Sequence, residues 1–425
     1  MAHKFSENQI TGKKYEIPST LDDRTRIDNF IELNKNKKII VVQGLGFVGS
    51  VMSIVCANSL EQEYAVIGID LPNEDSYWKI ASINEGIFPI ISSDIKVEKY
   101  FKNTQRNNNF YATFDSYAYQ KADYIIVDIN LDVQKNISLD HDLKNYDVSL
   151  KGFKNAIKTI GKNCKSDVLI LIETTVPPGS TEIAHQILAD EFKKRNLSLE
   201  NLKLGHSYER VMPGPNYIDS IQNFYRVYSG VDDYSAKNIK DFLETIIRTD
   251  KYPLTRLKST NATEMSKVLE NSYRAMNIAF VVEWSRYAEE AGVDLYEVVN
   301  AIRLRPTHAN LMYPGIGVGG YCLTKDPLLA SWSRQNIFEG ADSLNYSENA
   351  VFTNDKMPEF AFEYLQTFFK EKDLIGKNVT MLGVSYAPDI ADTRYTPVEL
   401  LYKKLKEVNC NIKLYDPFVN YWEEM

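Results

Sequence analysis

Lys38-Ile-Ile-Val-Val-Gln-Gly44-Leu-Gly46-Phe-Val-Gly49 is the stretch on which the fold turns. The unbroken apolar, mostly β-branched run over 39–42 predicts a strand buried on both faces, as in a parallel sheet. Gly44, Gly46 and Gly49 then let the backbone turn tightly and approach a phosphate, with Phe47 and Val48 leading into a helix over 51–60. A second strand over 65–69 ends in Asp70, about 20 residues past the turn. At that spacing a carboxylate meets the adenosine ribose of a bound dinucleotide. The same charge repels a 2′-phosphate, which predicts NAD rather than NADP.

The rest of the chain bounds this reading. A length of 425 residues implies two or three domains, and a net charge of −8 without a Lys/Arg run argues against nucleic acid. The apolar runs are strand-sized and the N-terminus lacks a signal-type hydrophobic core, so neither membrane insertion nor export is expected. A cytoplasmic setting follows. Cys56, Cys164, Cys322 and Cys410 are far apart with no metal-ligand spacing, so no metal is expected. Three read as core thiols. Cys322 differs, because it follows Gly315, Gly317, Gly319 and Gly320 and precedes Lys325 and Asp326. A thiol beside such a backbone reads as a nucleophile.

Residues 1–36 are polar with little periodicity and read as an extension. Further strands are expected over 124–127 and 168–172, separated by a helix around 145–162. The second strand runs into Glu173-Thr-Thr-Val-Pro-Pro-Gly179, a polar turn at the sheet edge that faces ligand in open α/β sheets. Thr175 there is either a ligand contact or a capping residue. Glu209 and Arg210 precede another Pro/Gly turn and read equally as site residues or as a surface ion pair. One long helix is expected over 259–291, stopped by Gly292 and able to link two domains. Lys267 and Asn271 share one face of it, and its C-terminal half is apolar nearly all round, as a subunit interface would be. A segment over about 340–425 repeats strand, loop, helix and strand, ending in Asp416 as the first unit ends in Asp70. The fold class is therefore α/β, two Rossmann-like doubly wound domains joined by a long central helix. The expected divisions are 1–36, 37–250 (NAD-binding), 251–335 (central) and 336–425, the last with a short sheet.

Together these motifs resemble the UDP-glucose/GDP-mannose dehydrogenase family: the glycine turn, Glu173-Thr-Thr-Val-Pro-Pro-Gly, Tyr208-Glu-Arg-Val-Met-Pro-Gly, Glu264-Met-Ser-Lys-Val-Leu-Glu-Asn, Gly319-Gly-Tyr-Cys-Leu-Thr-Lys-Asp and Asp389-Ile-Ala-Asp-Thr-Arg. The resemblance implies a four-electron oxidation at C6 of a UDP-sugar by NAD, through a thiohemiacetal and a thioester on Cys322. It further implies that Lys267 and Asn271 stabilise an oxyanion, that Asp326 orients water or acts as a base, and that Glu209 and Thr175 assist hydrolysis. Lys325 is implied on the cofactor side. Arg210, Tyr313, Gly319, Tyr386 and Arg394 are implied on the sugar-nucleotide side, Arg394 toward the diphosphate. A homodimer through the central helix is implied as well. Two positions depart from the family. Val127-Asp-Ile-Asn130 replaces a Val-Pro-Thr-Pro-like turn beside the cofactor, and Ala387 stands where lysine is common. Features of both the UDP-glucose and UDP-N-acetylhexosamine branches are present, the latter slightly favoured. A single-step hydroxyacid-type dehydrogenase and a non-catalytic nucleotide-sugar-binding protein are the alternatives.

Overall fold

The structure, a computed structural model, describes residues 4–137, 143–369, 374–419 and 422. Residues 1–3 of the expected extension and 370–373 of the expected last domain lie outside the described residues. The chain divides into two compact units, one of residues 1–131 with 149–264 and the other of 132–148 with 265–425.

The first unit is built on an eight-stranded sheet. Its strands are β1 (Lys38–Gln43), β2 (Tyr64–Ile69), β3 (Phe110–Thr113), β4 (Tyr124–Val127), β5 (Leu169–Ile172), β6 (Lys203–His206), β7 (Val227–Gly230) and β8 (Thr255–Arg256). They lie in the order β8-β7-β6-β5-β4-β1-β2-β3. From β3 to β6 all pairs are parallel, and β7 turns antiparallel against β6. The strand order reverses between β1 and β4, so a crevice opens at their carboxyl ends, where α/β sheets bind ligands. Helix α1 (Phe47–Ala57) packs behind β1, and Ile40, Val42, Met52, Ile54 and Val66 are wholly or almost wholly buried in the core between them. A second helix, α2 (Ser180–Lys194), follows the Pro-Pro-Gly turn.

Residues 4–36 are not a loose extension. The strands Phe5–Glu7 and Lys14–Glu16 form a hairpin, and a helix spans Arg24–Leu33. Buried Ser6 donates to the Glu74 carbonyl, Asn8 donates to Ser82 at 2.8 Å, and Asp23 accepts from Tyr111 and Thr113. Single buried residues in three-residue strands leave no periodicity to read. The expected helix around 145–162 is likewise corrected: Leu143–Val148 is a strand, and the helix is Lys151–Asn163.

The long helix α3 (Thr260–Glu290) begins where Ser259 caps it, its hydroxyl accepting from the Ala262 amide at 3.2 Å, and Gly292 at φ +68° lies just past its end. Its second turn carries Glu264, which accepts hydrogen bonds from Gly179 N, Thr181 N and Thr181 Oγ1 and so closes the N-terminus of α2. Burial pushes the Glu264 carboxyl up to about 7, against those three donors.

In the second unit, the hairpin Val133–Ile137 and Leu143–Val148 is tied to helices α4 (Asp326–Asn336) and α5 (Asn345–Phe369). Lys135 pairs with Asp355 at 2.7 Å, Tyr146 donates to Glu348 at 2.6 Å, and Trp332 donates to Asp147. The last βαβ unit is β9 (Asn378–Leu382), α6 (Val398–Glu407) and β10 (Asn411–Tyr415), its two strands parallel. No helix among the described residues is long and apolar enough to cross a membrane.

Candidate active site

The glycine turn explains itself by what each missing side chain would strike. A Cβ on Gly44, which stands at φ +102°, would lie 1.9 Å from the Asp128 carbonyl oxygen, and one on Gly49 would lie 1.9 Å from the Gly44 carbonyl oxygen. These two glycines close the turn on itself. At Gly46 an added Cβ would meet only Asn130 Oδ1, at 3.9 Å. This open position immediately precedes α1, whose first N–H groups suit an anion. Asp70 accepts from Leu45 N at 3.0 Å and from Leu71 N at 2.7 Å, with Lys79 Nζ at 3.7 Å. An ionised carboxylate has about four lone-pair sites, so acceptor capacity is left for ribose hydroxyls. The turn, the helix start and the carboxylate thus fit a dinucleotide.

Further along the same edge, Thr174 rather than Thr175 does the structural stitching. Its hydroxyl accepts from Ile129 N at 2.7 Å and donates to the Val127 carbonyl at 2.9 Å, while Thr175 is half-buried beside it. Glu209 is buried and accepts from the Val211 amide. Arg210 donates to the Tyr225 carbonyl at 2.9 Å and to the Tyr208 hydroxyl at 3.1 Å. A cluster that sequence reasoning did not assemble lies at this edge too. Arg226 Nη1 is 3.1 Å from Glu173 Oε1, and both side chains are buried. Burial, and then the charges of Glu173 and Glu209, hold the Asp128 carboxyl well above the usual range. Burial likewise pushes Glu173 up to about 7, with Arg226 opposing it. The anomalous Asp128 was visible in the sequence; a lone arginine ahead of a strand carries no signal.

In the second unit, the chemistry-bearing residues gather around the turn that feeds α4. Cys322 is exposed, whereas Cys56, Cys164 and Cys410 are buried. The Cys322 carbonyl accepts from Asp326 N at 2.9 Å and Lys325 N at 3.2 Å, so the cysteine is fixed to the start of α4. Asp326 is fully buried, with Oδ1 bonded by Lys325 Nζ at 2.8 Å and Oδ2 by Asn271 Nδ2 at 2.6 Å. Lys325, expected toward the cofactor, therefore turns its ammonium onto Asp326 and over the Tyr321 ring. Lys267 is buried one turn before Asn271 on α3. The Tyr386 ring lies so close to Gly320 that a Cβ there would come within 2.6 Å of it, and at Gly319 within 2.5 Å of the Tyr386 Cβ. Burial raises the Tyr386 hydroxyl to about 12, with Asp392 and Cys322 adding to it. Arg394 stacks over Tyr321 and offers Nε and Nη2 to Asp392 at 2.9 and 2.7 Å, so its bidentate edge already has a carboxylate. Tyr313 stacks on Tyr296, donates to Asn300 and lies under Arg303.

Comparison with known proteins matches both parts of the chain to one family. Residues 37–247 match the NAD binding domain of the UDP-glucose/GDP-mannose dehydrogenase family, and residues 261–355 match its central domain. A UDP-N-acetyl-D-mannosamine dehydrogenase of Methanocaldococcus jannaschii is 32% identical over 388 residues, covering 91% of this chain and 81% of its own. One from Pyrococcus horikoshii is 31% identical, covering 89% and 84%. The solved UDP-D-ManNAc dehydrogenase of Pyrococcus horikoshii matches with a TM-score of 0.74 at 27% identity, covering 90% of this chain and 84% of that one. An NDP-N-acetyl-D-galactosaminuronic acid dehydrogenase of Methanosarcina mazei gives 0.71 at 25%, covering 94% and 83%.

Proposed function

This chain belongs to the UDP-glucose/GDP-mannose dehydrogenase family of NAD-dependent oxidoreductases, and on that premise we propose that it oxidises C6 of a UDP-N-acetylhexosamine to the uronic acid, with UDP-glucose the next candidate. The relatives named for UDP-N-acetyl-D-mannosamine support the N-acetylated sugar. The product is a precursor for surface polysaccharide. The observation that carries the reading is the exposed Cys322, fixed above a buried Asn271–Asp326–Lys325 network while every other cysteine is buried.

Gly44, Gly46, Gly49 and the start of α1 would hold the cofactor diphosphate, and Asp70 the adenosine ribose. NAD, when bound, supplies the acceptor for the two hydrides that C6 gives up. At the aldehyde level, the Cys322 thiolate adds to C6 and forms a C–S bond, with Lys267 and Asn271 stabilising the oxyanion. Loss of the second hydride leaves a thioester. Water, deprotonated by Glu209 with the assistance of Thr175, then forms the C–O bond as the C–S bond breaks and the thiolate returns. Asp326 keeps Lys325 and Asn271 in place through this sequence. Tyr386 and Arg394, the latter aligned by Asp392, line the sugar-nucleotide side.

We place the enzyme in the cytoplasm as a homodimer. Leu269, Tyr273, Met276, Phe280, Trp284 and Tyr287 recur at helical spacing along α3 and are all exposed, a stripe that a second copy would cover.

Cys322→Ser tests the covalent route. Uronic acid formation should fall by at least about three orders of magnitude while sugar-nucleotide binding persists. Near-wild-type formation, with two NADH per uronic acid, would make Cys322 a bystander; one NADH per product from the wild type would favour a single-step dehydrogenase.

A further inference from the structure

Four neighbouring strands of the large sheet meet one edge in charged side chains. Asp128 follows β4, Glu173 follows β5, Glu209 lies in the loop after β6, and Arg226 precedes β7, whose antiparallel course brings its start to this same edge. All four are buried. Arg226 approaches Glu173 to 3.1 Å and donates to the Ser207 carbonyl at 3.4 Å. Among the described residues, Asp128 Oδ2 and Glu173 Oε2 accept no hydrogen bond, and Glu173 Oε1 has only the ion pair with Arg226. On α1, the buried Cys56 thiol is held up by burial and then by the charges of Glu173 and Asp128. Fully ionised, three carboxylates and one guanidinium would leave two uncompensated negative charges. In a low-dielectric interior such a set keeps a proton instead. The neutral-range value of Glu173 and the raised Asp128 agree with that.

We infer that Asp128 is a positioning residue for the hydrolytic step: with Glu173, on the neighbouring strand end, it forms a buried acid pair beside Arg226 whose charge sets the pH range of thioester hydrolysis. This rests on the base role proposed for Glu209. Asp128 is the member this chain adds, since it stands where the family resemblance leads one to expect a proline turn. While the pair holds its proton, Arg226 balances the pair's remaining charge. When the pair ionises, a further negative charge appears at this edge, under Gly44, whose added Cβ would strike the Asp128 carbonyl oxygen.

Asp128→Asn keeps the shape and removes the titration. Two measurements follow for wild type, Asp128→Asn and Glu173→Gln between about pH 5 and 9: kcat for uronic acid formation, and Tm without substrate. A carboxyl raised in the folded state binds its proton more tightly than the unfolded chain does, so it adds stability below the unfolded pKa and loses it as pH rises through the folded one. The wild-type Tm should therefore fall across the neutral range, and both variants should flatten that fall. The neutral inflection in kcat should vanish in Asp128→Asn or move by about one pH unit, with the KM for the sugar nucleotide within about twofold. A wild-type Tm slope and kcat inflection retained in Asp128→Asn would overturn the inference. So would a flattened Tm slope with an unmoved kcat profile, which would reduce the pair to a structural element. A wild type that oxidises no nucleotide sugar would sink the proposed function, and the Tm arm would still read the acid pair by itself.

Discussion

Two βαβ turns in this chain share a frame and differ in what they leave open. After β1 and after β9 the chain turns through a glycine at positive φ, Gly44 at +102° and Gly383 at +93°. In each unit, the carboxylate ending the second strand accepts from the turn's backbone: Asp70 from Leu45 N at 3.0 Å, and Asp416 from Val384 N and Ser385 N at 2.8 and 3.1 Å. From there they diverge. The first turn reaches α1 within three residues, with Gly46 facing open space. The second carries the loop holding Tyr386, Asp392 and Arg394 before α6 begins. Asp416 takes two more donors, Phe418 N and Val419 N, so its acceptor sites are occupied by its own backbone, whereas Asp70 keeps some for a ligand. The same geometry therefore leaves acceptor capacity for a ligand in one place and builds a loop in the other.

Substituting the paired glycines should break the comparison most visibly. Gly44→Ala puts a methyl 1.9 Å from a backbone oxygen that cannot move without moving β4, in a conformation already strained for any L side chain. It should cost about 3–5 kcal/mol, read by denaturant titration or as loss of soluble protein. Gly383→Ala meets nothing within 4 Å and should cost only the conformational strain, about 1–2 kcal/mol. Equal losses at the two sites would mean that the first turn is no tighter than the second.

Asp70 carries the next largest effect. Asp70→Ser removes the charge that opposes a 2′-phosphate, so the preference for NAD over NADP, measured as the ratio of kcat/KM values, should drop by about one to two decades. Lys79, already 3.7 Å from Asp70, would then be available to the phosphate. A wild type that prefers NADP would overturn the reading of this strand end.

The contrast also marks what a sequence can display. The first unit was legible because its glycines, strands and Asp70 fall within one local span, each with its own spacing rule. Cys322 stood out because glycines crowd ahead of it. By contrast, Asp128, Glu173, Glu209 and Arg226 come from four different strand ends, and only the order β7-β6-β5-β4 makes them neighbours. The strand Leu143–Val148 was hidden by its polar residues, and its ties to α4 and α5 are long-range hydrogen bonds without periodicity. Helix α5 contains Pro358, which reads as a breaker in sequence.

The smallest effect expected is at Asp416, and it tests whether the second turn is purely structural. Burial works to raise its carboxyl, but four backbone N–H donors outweigh that and hold it below the ordinary carboxylate value. In Asp416→Asn one oxygen can still accept from two amides, while the new NH2 group faces the other two and leaves them without an acceptor. The loss should be about 1–2 kcal/mol near neutral pH. A lowered carboxyl contributes stability above its unfolded pKa and loses it as pH falls through the folded one, so the gap between wild type and variant should close in acid. Denaturant titrations at pH 7 and at about pH 3 would measure this. The KM for NAD should not move, because the dinucleotide turn belongs to the other unit. An Asn variant with wild-type stability and a weakened nucleotide affinity would instead make Asp416 a ligand-binding counterpart of Asp70.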